Sequence, residues 1–153
     1  MKIILRALAG CVPGLLAATP ASAEGANLGV RIGYYLEAGK PFLGVEYLAK
    51  ISDDVWFTPN VEYVLTENAR YWTVNADVHY DFHSTGNNFL YVGAGLGLLA
   101  FNPAGPAGSD NELGLNVFGG LATKAGDVIP YLQVKAIVVE GDTEVVIGGG
   151  LRF

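Results

Sequence analysis

"YWTVNADVHYDF", Tyr71 to Phe82, is the stretch on which the reading of the whole chain turns. Trp72, Val74, Ala76, Val78, Tyr80 and Phe82 share one parity; Thr73, Asn75, Asp77, His79 and Asp81 share the other. Extended backbone points successive side chains to opposite sides, so this alternation predicts a strand with one apolar face and one polar, charged face. A helix would mix the two sets around its circumference.

The same pattern recurs on both sides of it. Towards the N-terminus, strands are expected near 27–36 (Leu28, Val30, Ile32, Tyr34, Leu36 apolar), 42–51 (Leu43, Val45, Tyr47, Ala49, Ile51) and 55–65 (Phe57, Val61, Tyr63, Leu65). Towards the C-terminus, Leu90 to Leu98 alternate with Gly93, Gly95 and Gly97. Two further strands follow, around Leu113–Leu121 and Leu132–Val138. The chain then ends on "EVVIGGGLRF", with Val145, Ile147, Leu151 and Phe153 on one parity. Pro59 lacks a ladder donor, so the third strand is expected to start near Asn60 or to carry a bulge there.

Short turn signals such as "EAGK", "SDD", "HSTGNN" and "EGD" join these segments, and only Asn102 to Asn111 is a long connection. Connections this short make neighbours antiparallel, since parallel crossovers need a dozen residues or more. The expected fold is all-β, an eight-stranded antiparallel up-and-down barrel in which closure removes the unpaired edges.

The first 23 residues have a different character. Lys2 and Arg6 precede an apolar run from Ala7 to Ala18, which closes on Ala21-Ser22-Ala23. This is the pattern of a cleaved secretory signal, too short for a spanning helix. The domain is therefore expected over residues 24–153; the alternative is a lipoprotein signal with Cys11 acylated. Lys2 and Arg6 are two of nine basic residues and none of the fifteen acidic ones lies in that segment, so the remainder is strongly acidic. That argues against nucleic acid as a partner. The single cysteine, Cys11, leaves with the signal, and no disulfide is expected.

A soluble barrel is apolar inside; a transmembrane barrel is apolar outside with a polar lumen. Arg31, Glu46, Glu62, Asp77, Lys135, Glu144 and Arg152 all fall on the polar parity, while the other set is nearly free of charge. Aromatics also gather near both strand ends. Trp56, Phe57, Tyr80, Phe82, Phe89, Tyr91, Tyr131 and Phe153 are expected on one rim; Tyr34, Phe42, Tyr63, Tyr71, Trp72 and Phe101 on the other. Two aromatic girdles favour the transmembrane barrel, with a lipocalin-like secreted barrel as the alternative.

On the signal's end, "YVGAGLG", "PYLQVKAIV" and the closing "GGGLRF", the chain resembles small bacterial outer-membrane β-barrel proteins of the OmpA/OmpX/opacity-type group. The resemblance implies outer-membrane residence, contact with membrane lipid and lipopolysaccharide, and a monomer. It also implies that Phe153, Leu151 and Ile147 resemble the C-terminal signal read by the outer-membrane barrel assembly machinery.

Four roles follow for such a barrel. The first is structural, with Arg31, Lys135 and Arg152 pairing with Glu46, Glu62, Asp77 and Glu144 to plug the lumen. The others are a narrow channel for small solutes, a surface interaction through 102–111, and a lipid A-modifying enzyme. The candidates for the last are Asp77, His79, Asp81, His83 and Ser84, but Ser84 adjoins His83 instead of following one residue later. Two Asp around one His is a weak metal signal. An enzyme is not expected, and no catalytic residue, metal or cofactor is assigned.

Overall fold

The computed structural model describes residues 28–67, 69–82, 84–103 and 108–153. The signal segment with its Ala23 end, His83 and the centre of the 102–111 connection lie outside the described residues. The strands are β1 (Leu28–Tyr35), β2 (Lys40–Tyr47), β3 (Ala49–Lys50), β4 (Val55–Val64), β5 (Ala69–Phe82), β6 (Asn88–Pro103), β7 (Asp110–Thr123), β8 (Ile129–Val139) and β9 (Asp142–Arg152). All pairings are antiparallel, and β9 returns to β1, so the sheet closes on itself. Because β3 continues β2 along β4, the ring is an eight-stranded barrel.

Closure ties Phe153 to the first strand. The Phe153 N–H donates to the Leu28 carbonyl at 2.8 Å, and the Leu28 N–H donates back to the Phe153 carbonyl at 3.1 Å. This reciprocal pair marks the terminal end of the barrel. The opposite, far end carries the turns after β1, β4, β6 and β8. Gly39 and Gly141 sit in two of these turns with φ of +64° and +87°, a region that costs glycine little. The connection expected over 102–111 is shorter, because β6 runs through Pro103 and β7 begins at Asp110.

Pro59 causes neither a late start nor a bulge. β4 runs straight through it from Val55, and the register set by Glu46↔Asn60 continues unchanged at Ala49↔Phe57. Instead, Tyr47 and Leu48, the residues facing Pro59 and Thr58 in that register, are missing from the β2–β4 ladder. A residue without an N–H cannot complete a rung, and the strand divides into β2 and β3 at that point.

The two faces are inverted relative to a soluble barrel. Leu132 is 68% exposed on the outside, whereas Lys135, pointing into the lumen from the same strand, is 1% exposed. Outward-facing Val, Leu and Ile residues form an exposed belt around the barrel, interrupted at β4, whose outward residues are half-buried. Aromatics border it: Tyr34, Tyr63, Trp72 and Phe101 towards the far end, and Phe57, Tyr80, Phe82 and Phe153 towards the terminal end. Tyr63 and Trp72 pack with ring centroids 4.5 Å apart, and Tyr80 and Phe82 at 5.2 Å.

Several girdle assignments need correction. Tyr131, Tyr91 and Phe42 point into the lumen and are buried. Phe89 and Tyr71 pack against buried lumen clusters, and Trp56 shares the lumen register of Thr58. Their parity matches the polar set, and parity outweighs proximity to a rim.

Candidate functional site

An eight-stranded barrel leaves room inside for side chains and little else. Here those side chains form three layers. At the far end, Tyr35, Phe42, Val64, Leu99, Ile137 and Val146 form a buried apolar layer. At the terminal end, Tyr91, Phe118, Ala122 and Tyr131 form a second. Between them runs a polar band whose charged groups are removed from solvent.

The ions alternate in sign. Arg152 Nε lies 2.9 Å from Glu46, whose other oxygen is 3.4 Å from Arg31. Arg31 reaches on to Glu62 at 3.1 Å, and Glu62 meets Lys135 Nζ at 3.1 Å. Glu62 also accepts from the Tyr35 hydroxyl and from Thr73 Oγ1. Buried charge is tolerated only when it is paired and hydrogen-bonded, and this chain of ions satisfies both conditions for its carboxylates. The Arg152 guanidinium further lies 4.3 Å from the Tyr131 ring centre and 5.2 Å from that of Tyr91.

Two residues expected in this network are placed elsewhere. Asp77 is buried but is held by amides, accepting from Asn60 Nδ2 at 2.9 Å and Asn116 Nδ2 at 2.8 Å. Asn75 extends this cluster by donating to Asn60 and accepting from Asn116. Glu144 lies at the far rim, where it accepts the backbone N–H groups of Glu37 and Ala38 and so fastens the first hairpin turn. Its position at the strand end keeps it away from the lumen cations.

Several lumen glycines are sockets for the inward aromatics. A Cβ at Gly120 would stand 2.3 Å from Tyr91 Cζ, and one at Gly93 2.3 Å from Phe118 Cζ. Gly33 and Gly148 lie against Phe42 in the same way, and Gly150 against Tyr131. Other lumen glycines make room for polar or aliphatic side chains: Gly95 faces Asp77, Gly97 faces Asn75 and Asn116, and Gly114 faces Ile137. Rim position hides these inward rings in the sequence, but parity marks them: Phe42 shares it with Gly44 and Glu46, Tyr91 with Gly93, and Tyr131 with Gln133 and Lys135. Gln133 accepts the Tyr91 hydroxyl at 3.2 Å, which ties the terminal layer to the polar band.

Among the described residues, the candidate catalytic cluster does not assemble as a serine triad. His79 is buried with Nδ1 3.0 Å from Thr58 Oγ1 and Nε2 3.4 Å from Asp81. Ser84 lies on an exposed turn and its Oγ accepts the Gly86 N–H. A hydrolase needs its nucleophile within hydrogen-bond reach of the base, and Thr58, the hydroxyl that meets this imidazole, is sealed in the wall. Among the described residues, no group of three or more His, Cys, Asp or Glu side chains could hold a metal ion.

An apolar belt outside, an ion-paired polar band inside and a hydrogen-bonded closure are the marks of a barrel built for lipid. Solved structures agree. The N-terminal β-barrel domain of Pseudomonas aeruginosa OprF superimposes with a TM-score of 0.71 at 18% identity, over 84% of this chain and 97% of that one. The chain has the fold of a small outer-membrane β-barrel. Neisserial surface protein A matches with a TM-score of 0.58 at 16% identity, over 83% of this chain and 92% of that one. The outer membrane enzyme PagL matches with a TM-score of 0.59 at 12% identity, over 84% and 99% respectively. No family model and no curated protein matches the sequence. The small outer-membrane barrel fold thus accommodates an enzyme as well as other proteins, and the role of this chain rests on its own lumen and surface.

Proposed function

We propose that this protein resides in the outer membrane as a structural barrel whose lumen is closed by its own side chains. The observation that carries the reading is the alternating ion chain Arg152–Glu46–Arg31–Glu62–Lys135, enclosed between two apolar layers. A conducting pore needs continuous water, whereas here rings fill the lumen on both sides of the ions. The terminal end faces the periplasm and the far end the cell exterior. Lipid and lipopolysaccharide cover the apolar belt, and the protein is a monomer. Ile147, Leu151 and Phe153 are exposed on the outer face of β9 and at its end, which supports their reading by the barrel assembly machinery.

Density-gradient fractionation of cells expressing the full chain tests residence. The protein should band with outer membranes and resist extraction by salt and carbonate; recovery as a soluble secreted monomer would refute the reading. Proteoliposome swelling tests closure, and influx of a small sugar such as arabinose would contradict it.

A further inference from the structure

The outer belt is uneven, and one depressed strip on it has a definite construction. Val30 pairs with Val45, Val45 with Val61, and Val61 with Val74, so four valines stand side by side across β1, β2, β4 and β5. The next row towards the far end carries bulkier partners, including Tyr63 opposite Trp72. Towards the terminal end stand Tyr47 and the terminal Phe153, with compact Pro59 opposite Tyr47 on the interrupted rung. The result is a groove of about 370 Å³ on the outside of the barrel, within the roughly 300–1,000 Å³ typical of ligand sites.

Its floor is unusual for a lipid-facing wall. At the last intact β2–β4 rung before Pro59, the lumen residues Glu46 and Asn60 line the groove from behind.

We propose that this groove holds one acyl chain of a membrane phospholipid, lodged along the valine row with its head towards Tyr47 and the terminal end. The proposal rests on the membrane residence proposed above. Three observations select this occupant. The groove is continuous with the lipid-facing belt, so acyl chains are the molecules that meet it. Small β-branched floor residues between aromatic walls suit a narrow flexible chain, since association inside a bilayer depends on close packing and not on hydrophobicity. A second copy of the protein fits less well, because a two-fold pair centred on the groove sets the same concave strip against itself.

The domain, residues 24–153, is refolded into dioleoylphosphatidylcholine vesicles, and vesicle flotation checks insertion. It is then extracted in mild detergent, and retained phospholipid is counted by native mass spectrometry. Wild type should carry one phospholipid. Val61→Trp and Val45→Trp fill the groove and should lose at least nine-tenths of that occupancy. Val134→Trp, on the outer face of β8 across the barrel, should retain it. Equal occupancy in all three variants, or none in floated wild type, would overturn the proposal while leaving membrane residence intact. A wild-type dimer lost in Val61→Trp would overturn it in favour of a second copy. Failure to float would refute membrane residence and the groove's occupant together. Heat-modifiable gel mobility confirms folding of each variant before it is scored.

Discussion

Replacing Glu62 by glutamine keeps the shape of the side chain and removes one charge from the centre of the lumen. Glu62 is fully buried and faces two cations, Arg31 and Lys135, each at 3.1 Å. The carbonyl of the new amide can still accept a hydrogen bond, so the main loss is compensation of two buried positive groups. Breaking a buried pair from one side costs about 3–5 kcal/mol. Against a total stability of about 5–15 kcal/mol, that is a large fraction. Adding Lys135→Met removes the excess cation, and the double variant should be more stable than Glu62→Gln alone. Urea unfolding from phospholipid vesicles, followed by fluorescence of Trp56 and Trp72 and by gel mobility, measures both. A loss below about 1 kcal/mol in Glu62→Gln, with no recovery in the double variant, would mean that water screens these ions. The plugged lumen would then be wrong.

Four other substitutions probe separate parts of the structure. Leu115→Arg places a charge on the exposed outer face of β7 and should cost about 2–4 kcal/mol of stability in vesicles, whereas a soluble barrel would tolerate it. Gly120→Ala should cost about 1–3 kcal/mol, because its Cβ would meet both Tyr91 and the Leu132 carbonyl. Neighbouring Gly119→Ala, whose nearest contact is 3.5 Å away, should be close to neutral in the same denaturation assay. Glu144→Ala frees the Glu37 and Ala38 amides, so their hydrogen exchange should accelerate roughly tenfold or more while the strand amides of β5 and β6 stay protected.

The architecture is legible in the sequence because alternation is a direct consequence of extended backbone. Tyr71 to Phe82 alone separates the two faces, and the structure puts Trp72, Val74, Ala76, Val78, Tyr80 and Phe82 outside and Thr73, Asn75, Asp77 and His79 inside. The inward aromatics are harder. Tyr131 and Phe42 lie near strand ends, where a girdle is expected, yet they share parity with Lys135 and Glu46 and follow it into the lumen. Glycines opposite them on the adjacent strand, Gly33 beside Phe42 and Gly150 beside Tyr131, are the available signal, since a large inward ring needs a neighbour without a Cβ. The partners within the polar set are not legible at all. Parity puts Asp77, Glu46 and Glu62 on one surface, but only barrel stagger decides that two meet cations and the third meets amides. Pro59 is visible as a defect, yet its effect, a missing rung without a shift in register, depends on the strand opposite.

The central claim is a folded outer-membrane barrel with a closed lumen, and planar-bilayer conductance of the refolded domain tests it most directly. With folding verified by gel mobility, wild type should insert without discrete openings across the accessible voltage range. Stable single-channel steps from folded wild-type protein, altered by neutralising Arg31 or Glu62, would contradict the account and make the lumen charges part of a conducting path.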